Sequence, residues 1–481
     1  MTGREGYRMD PQDWEAFRAD MHRLLDQCVD QLHSARERPW QPVPDAFNEA
    51  ITIPDQTTGE HGAVMDRLAQ DILPQTTGNT HPAFFGWVHG TGQAMGLASE
   101  LVAATMNSNC GGRDHGAIRV EQEVIRWLCA TAGWPANTGG ILTTGTSQAT
   151  IYALCAARLK RFGAAVRTRG LHDMPRLRVY AAKGAHSCVV KALQVMGHGT
   201  QALKQIPLRD GQMDLDALRE ALRQDRDAGI EPLAIVATAG SVNTGTFDDI
   251  AGLARIAHSH GTWLHVDAAF GYWIRLADAP WRALADGMEE ADSIALDGHK
   301  WLGVTYDCGA CLIRDQAVHR ATFAERPEYL AAQSKGLAAG DWWPTDYGTE
   351  LSRGFRALKM WTALQTHGPE VIGAVVTDNC KQAALMGALA EASDLLDLAC
   401  PVVSNLCVIR PRQGDPAALA AQLQLSGEAV FSTTTLDGAP CLRAAIVNHR
   451  TTSDTIRAAV TALERAVATA PEGGALPAGP A

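Results

Sequence analysis

LAIVATAGSVNTGTFDDIAGLARIAHSHGTWLHVDAAF, residues 233–270, holds an apolar run, a Gly-punctuated turn, a helical pattern from about Asp248 to His260 and a second apolar run that ends in Asp267. The same alternation extends to both sides. Upstream, ILTT (141–144) precedes a helix from Ser147, and LRVYAA (177–182) precedes a helix from His186; downstream lie ADSIALD (291–297) and GACLIR (309–314). Short apolar strands alternating with helical patterns build parallel βαβ units, so the segment from about 115 to 315 predicts an open α/β sheet with its functional groups at the carboxyl ends of the strands.

Around this segment the 481 residues divide further. Residues 1–80 read as an N-terminal arm: an amphipathic helix from Pro11 to about Ala35 carries Trp14, Phe17, Met21, Leu24, Leu25, Val29 and Leu32 at helical spacing, and the Pro-rich PWQPVPDAF follows. Residues 81–365 form the large domain. Residues 366–470 predict a smaller α+β domain, with an Ala-rich helix, the strands CVIRP, VFSTTTL and CLRAAIV, and a last helix from Ser453. The Gly- and Pro-rich end, 471–481, reads as a frayed tail.

Composition narrows the function. Hydrophobic residues at 46% and charged residues at 20% are ordinary for a globular protein, and a net charge of −11 argues against non-specific binding to nucleic acid or anionic membrane. The start lacks a basic-then-apolar leader and no apolar run is long enough to span a bilayer, which points to a cytoplasmic protein. Eleven scattered cysteines without secretory context read as buried thiols. The Cys308–Cys311 pair has no second CxxC and no suitably spaced His pair to complete a zinc site. His258 and His260 point apart on a helix and no HExxH occurs, so a metal hydrolase has no ligand set.

Four clusters can carry chemistry. In LDGHKWLG (296–303), Trp301 and Leu302 predict a partly desolvated Lys300 able to act as a Schiff-base amine, although a lone lysine is more often a solvated surface group. In WLHVDAAF (263–270), Asp267 ends a buried strand, where a carboxylate needs a cationic partner unless it merely caps a helix. In LTTGTSQATIYAL (142–154), Thr146 and Ser147 open a helix and can bind an anion or simply cap it; with no P-loop and no GxGxxG, one phosphate monoester fits better than a triphosphate or dinucleotide. His186, in KGAHSCVVKALQVMG (183–197), stands at a helix mouth, as a solvated cap or as a ring to stack on a flat ligand.

Together and in this chain order, these are the parts a protein supplies to pyridoxal phosphate. The sequence resembles the group II pyridoxal-phosphate-dependent amino acid decarboxylases, through THPAFFGW, GTSQAT, AHSCVVKA, HVDAAFGYW, DGHKWL and ELSRGFRALKMW, from roughly His81 to the helix after Arg443. The resemblance implies fold type I with a smaller C-terminal domain, decarboxylation of an L-amino acid to its amine, and a homodimer whose arm lies over the partner. It assigns Lys300 to the covalent cofactor link, Asp267 to the pyridine nitrogen, His186 to the ring face, Ala269 behind the ring, and Thr146, Ser147 and His299 to the phosphate. Asp297 lies where relatives carry Asn or Asp, and Arg443 matches an arginine near the substrate α-carboxylate.

Two positions depart from the family pattern. Where relatives have a proton-donating Tyr, this chain has Pro344, which leaves Tyr347 as a candidate donor or a packing residue. Val242 replaces a Thr that faces the cofactor's ring hydroxyl, with Ser241 or Asn243 as substitutes. The substrate pocket is expected to use Trp87, His89 and Asn109, which replaces an aromatic residue; Arg113 and His115 stand near it. A displaced proton donor brings in a second outcome, transamination or an aldehyde product. A catalytically inactive binding protein of the same fold is the alternative of another class, and it has no physical need for Lys300, Asp267 and His186 together.

Overall fold

The computed structural model describes residues 9–53, 60–172, 174–325 and 334–470. Its centre is a seven-stranded sheet. The strands are β1 (Gly139–Thr143), β2 (Leu177–Ala182), β3 (Leu203–Ile206), then, after a small hairpin of β4 (Leu208–Arg209) and β5 (Gln212–Met213), β6 (Glu231–Thr238), β7 (Trp263–Asp267), β8 (Ser293–Asp297) and β9 (Gly309–Ile313). Their order across the sheet is β1-β9-β8-β7-β6-β2-β3. All run parallel except β9, which is antiparallel to both of its neighbours. The sheet is mostly parallel, as expected, and β9 is the exception because the chain between Asp297 and Gly309 is too short to hold a crossover helix.

The strand sequences are continuously apolar because both faces of the sheet are covered. Leu142, Ile235, Ala237, Ile294 and Leu296 point into one core with the helices Gly116–Thr131 and Ile250–His260, while Ile141, Ala234, Val236 and Ala295 point into another with Thr146–Phe162 and Cys188–Val195. Cys308 and Cys311 divide between these two cores as free buried thiols. Burial pushes the Cys308 thiol up to about 12, so it packs as a small apolar group.

Helix Arg356–Glu391 begins ahead of the position predicted for the Ala-rich helix and breaks at Gly368, whose left-handed φ of 67° precedes Pro369. Its second half packs Ala383, Met386 and Ala390 onto the smaller domain. There β10 (Leu396–Leu398), β11 (Leu406–Pro411), β12 (Ser432–Leu436) and β13 (Ala439–Ala445) form an antiparallel sheet in the order β10-β11-β13-β12. The β12–β13 hairpin turns on Asp437 and Gly438, at φ 50° and 78°, the Asp-Gly pair that such turns favour. The final helix is Ser453–Ala468, and the predicted tail lies outside the described residues.

The arm helix runs Trp14–His33, capped by the Asp13 carboxylate, and buries none of its own residues; Trp14, Leu25 and Val29 of its apolar stripe are exposed. Among the described residues no helix is long and apolar enough to cross a membrane.

Two fully buried histidines make the fold sensitive to acid. Burial holds His265 and His319 down at about 4. Unfolded, both take protons near 6.5, so from about pH 6.5 down to about 4 the unfolded chain binds protons that the native chain refuses, and stability is lost at up to ~1.4 kcal/mol per pH unit per histidine. Denaturant midpoints are expected to fall across this window, and His319→Asn to remove one histidine's share of the slope.

Candidate active site

The carboxyl ends of β2, β6 and β7, the loop after β8 and the smaller domain enclose a cavity of about 930 Å³. His186, Asp267, Ala269, Lys300, Trp87 and Arg443 all line it, as do Ser241, Val242 and Asn243. Residues more than 350 positions apart in the chain therefore meet at one place.

Lys300 stands in a tight loop closed by the Gly303 N–H to Lys300 O bond (3.1 Å), with Gly303 at φ 74°. Trp301 and Leu302 beside it are buried, and the Trp301 Nε1–H donates to Asn379 Oδ1 at 3.0 Å. Burial works against the Lys300 charge, but the carboxylates of Asp297 and Asp267 outweigh it and raise the ammonium above its ordinary value. The Asp297 carboxylate is the near partner, with Oδ2 at 3.1 Å from Nζ.

Asp267 is the last residue of β7 and is 6% exposed. The Ala269 N–H donates to its Oδ1 at 3.3 Å, and the Cys188 thiol lies 3.4 Å from its Oδ2. Burial, with the Asp267 charge adding to it, drives the Cys188 thiol well up, so it stays a neutral donor to that carboxylate. His186 opens onto the cavity, and its Nδ1 accepts the Cys188 N–H at 3.2 Å. The walls around the imidazole lower its pKa by desolvation, against the opposing pull of Asp267.

Beyond Lys300 the helix Thr146–Phe162 begins. The Thr146 N–H donates to Asp297 Oδ1 at 2.8 Å, and His299, which accepts the Cys308 N–H on Nδ1 at 3.1 Å, has its Nε2 3.7 Å from Asp297 Oδ2. Thr146 Oγ1 is buried without a hydrogen-bond partner, and Ser147 beside it is exposed. A Cβ on Gly145 would lie 3.5 Å from Asp297 and 3.6 Å from His299, so these groups border one small space that glycine keeps open. An orphaned hydroxyl, a helix start and an imidazole at that space fit a phosphate group.

The smaller domain supplies the remaining wall. Phe85 donates to Val430 O and accepts from the Ala445 N–H, both at 2.8 Å, and this stitching carries Trp87 to the cavity with a left-handed φ of 55°. Arg443 is 5% exposed; its Nε donates to Ser432 Oγ at 3.1 Å and its Nη1 to Val242 O at 2.5 Å. It has no carboxylate partner among the described residues. Burial lowers its pKa, an uncompensated cost that an incoming anion would relieve. Asn243 Oδ1 is taken by Thr434 Oγ1 at 3.2 Å.

Six expected site residues do not line the cavity: Thr146, Ser147 and His299 border the small space beyond Lys300, and Tyr347, Asn109 and His89 are held elsewhere. Tyr347 is buried against His319 (ring centroids 5.1 Å) and stacked on Trp342 (5.6 Å), because His319 Nε2 binds the Tyr347 carbonyl at 2.8 Å and draws the segment inward. Asn109 Oδ1 accepts the backbone N–H groups of Gly111 and Arg353, each at 3.0 Å. His89 packs between Phe84 and Tyr306, at 5.7 and 5.2 Å. Arg113 lies over Trp343 at 4.8 Å, and His115 Nε2 is 3.2 Å from the Asn109 carbonyl. Sequence reasoning passed over Arg353 and Glu121, which stand among other charged residues (Glu350 and Arg356; Arg119 and Glu123) and carry no local signal that sets them apart. No group of three or more His, Cys, Asp or Glu able to hold a metal occurs among the described residues.

A lysine, an aspartate and a histidine gathered at the strand ends of an open α/β sheet define a pyridoxal-phosphate enzyme of fold type I. The family model described as the pyridoxal-dependent decarboxylase conserved domain matches residues 47–408, and the chain belongs to that family. It is 26% identical to an aromatic-L-amino-acid decarboxylase of Bacillus atrophaeus over 92% of this chain and 93% of that relative. It is 27% identical to an L-2,4-diaminobutyrate decarboxylase of Rhizobium meliloti, over 93% of this chain and 91% of the other. The crystal structure of Oryza sativa TDC with PLP and tryptamine superposes with a TM-score of 0.86 at 26% identity, covering 95% of this chain and 99% of that one. The chain is a carboxy-lyase that uses pyridoxal phosphate to decarboxylate an amino acid.

Proposed function

We propose that Lys300, Asp267 and His186 hold the cofactor's ring in the cavity, with Ala269 behind it, that Thr146, Ser147 and His299 take its phosphate, and that Arg443 binds the α-carboxylate of an L-amino acid. The observation that carries this reading is Arg443: a buried guanidinium without a counter-charge among the described residues, on the wall of the same cavity as Lys300 and Asp267. Pyridoxal phosphate, when bound, supplies the sink for the electron pair left by departing carbon dioxide. Asp267 places a negative charge where the ring nitrogen is to stay protonated, His186 covers one ring face, and Arg443 orients the substrate by charge-assisted hydrogen bonds.

Trp87, Val88, Phe270 and Leu208 on the cavity wall favour a flat or aliphatic substrate side chain. A panel of aromatic, cationic and acidic amino acids, assayed for carbon dioxide and for amine against aldehyde, tests the reading; amine with equimolar carbon dioxide is the expected product. Arg443→Met is expected to raise KM for the best substrate by about 10- to 100-fold, the range for losing hydrogen bonds to a charged group. An unchanged KM would reassign the carboxylate.

The exposed Trp14, Leu25 and Val29 of the arm's apolar stripe support a homodimer in which a second copy covers them. Light scattering is expected to return twice the 51.4 kDa chain mass, and a fully active monomer would refute this. The eleven free thiols support a cytoplasmic setting.

A further inference from the structure

At the place prepared for an anion the chain already carries one. Asp297 is 2% exposed; its Oδ1 accepts the first N–H of the helix at Thr146, and its Oδ2 lies 3.1 Å from Lys300 Nζ and 3.7 Å from His299 Nε2. The packing leaves the carboxylate little room to withdraw: a Cβ on Gly309 would come within 2.8 Å of Oδ1, and the Asp297 N–H is tied to Ala269 O at 2.9 Å. The other titratable groups that feel its charge are His186, Tyr306 and Cys308, and Asp267 shares Lys300 with it. Lys300 and, when protonated, His299 are the cations nearest to it.

A phosphate monoester carries close to two negative charges near neutral pH. Set beside a buried carboxylate, it makes a pair of like charges that is stabilised by taking up a proton, as two carboxylates sharing one site are. We propose that Asp297 makes capture of the cofactor's phosphate a proton-coupled step, in which about one proton from solvent enters the cluster of Asp297, His299 and phosphate with each phosphate monoester, while Lys300 remains an ammonium. This rests on the reading of Thr146, Ser147 and His299 as the phosphate site. An amide at position 297 would keep the size of the side chain and remove the coupling.

The test uses the full chain freed of cofactor, with pyridoxine 5′-phosphate as ligand, which cannot bond to Lys300, and pyridoxine as the phosphate-free control. Calorimetry in two buffers of different ionisation heat at about pH 8, where the free ligand's phosphate has already lost its second proton, counts the protons taken up. The wild type is expected to take up about one more than Asp297→Asn, and its Kd to rise up to about ten-fold per pH unit more steeply than the variant's. Equal proton counts and parallel Kd profiles would overturn the proposal. Should the variant not fold, the wild-type count alone decides: about one proton with pyridoxine 5′-phosphate beyond that with pyridoxine supports the coupling, and none refutes it. Failure of the underlying site reading has a different signature, since Thr146→Val would then leave the preference for pyridoxine 5′-phosphate over pyridoxine intact. A preference that drops in Thr146→Val together with equal proton counts would sink the coupling alone.

Discussion

Asp267→Asn is expected to lower kcat by on the order of 10²- to 10³-fold while moving KM by a few-fold at most, the range for removing one preorganised charge from an active site. The amide keeps the shape of the side chain, and the Ala269 N–H at 3.3 Å can still donate to its oxygen, so the site stays assembled. What disappears is the negative charge that makes the protonated ring nitrogen favourable. Under the proposed assignment that charge acts on the electron pair developing as carbon dioxide leaves, while Arg443 takes the substrate carboxylate; hence kcat is expected to bear the loss. Asp267→Ala should fall further, because it also strips the Cys188 thiol of its acceptor. A variant with kcat unchanged would remove Asp267 from the reaction.

The second large effect is on stability. Arg353→Met is expected to cost about 3–5 kcal/mol, the usual result of removing one partner of a buried ion pair. Both Arg353 Nη atoms bond Glu121, at 2.9 and 2.7 Å, and they also donate to Cys110 O (2.9 Å) and Leu142 O (2.7 Å). Glu121 in turn accepts the Leu142 N–H at 3.1 Å, so the pair ties β1 to helix Gly116–Thr131 and to the segment that enters the long helix. Met removes the cation and leaves Glu121 charged with both side chains nearly sealed, at 0% and 2% exposure. The double variant Arg353→Met/Glu121→Leu should recover most of the loss, since a neutral pair of similar volume leaves no stranded charge. Denaturant unfolding of the three proteins checks this; a double variant no better than the single would show that the carbonyl bonds matter more than the pair.

Much of this was legible in the chain because it depends on local pattern. β2, β6, β7 and β8 sit where apolar runs were read, and Lys300, Asp267 and His186 follow them because a strand that is buried on both faces delivers its next polar residue to the sheet's edge. What was not legible depends on partners far along the chain. Tyr347 reads from the sequence as either a proton donor or a packing residue, and its burial depends on His319, 28 residues earlier, which binds its carbonyl. Asn109 reads as a pocket residue, and within the chain its oxygen binds the Arg353 N–H, 244 residues away. A polar side chain in a loop has no periodicity to say whether it meets substrate or backbone. The ion pair of Glu121, on a helix, and Arg353 was invisible because its partners lie 232 residues apart, and the direction of β9 turns on the length of a connection more than on strand composition.

The reversed strand also sets a schedule for synthesis. Among the described residues β1 pairs only with β9, from Gly139↔Ile313 to Thr143↔Gly309, so the two sides of that ladder are translated about 170 residues apart. At roughly 5–20 residues per second, β1 and the helix behind it wait some 10–30 s on the ribosome before their partner exists. Through that interval the nascent chain carries an unpaired apolar strand, and shielding by a chaperone matters most between the emergence of β1 and that of β9.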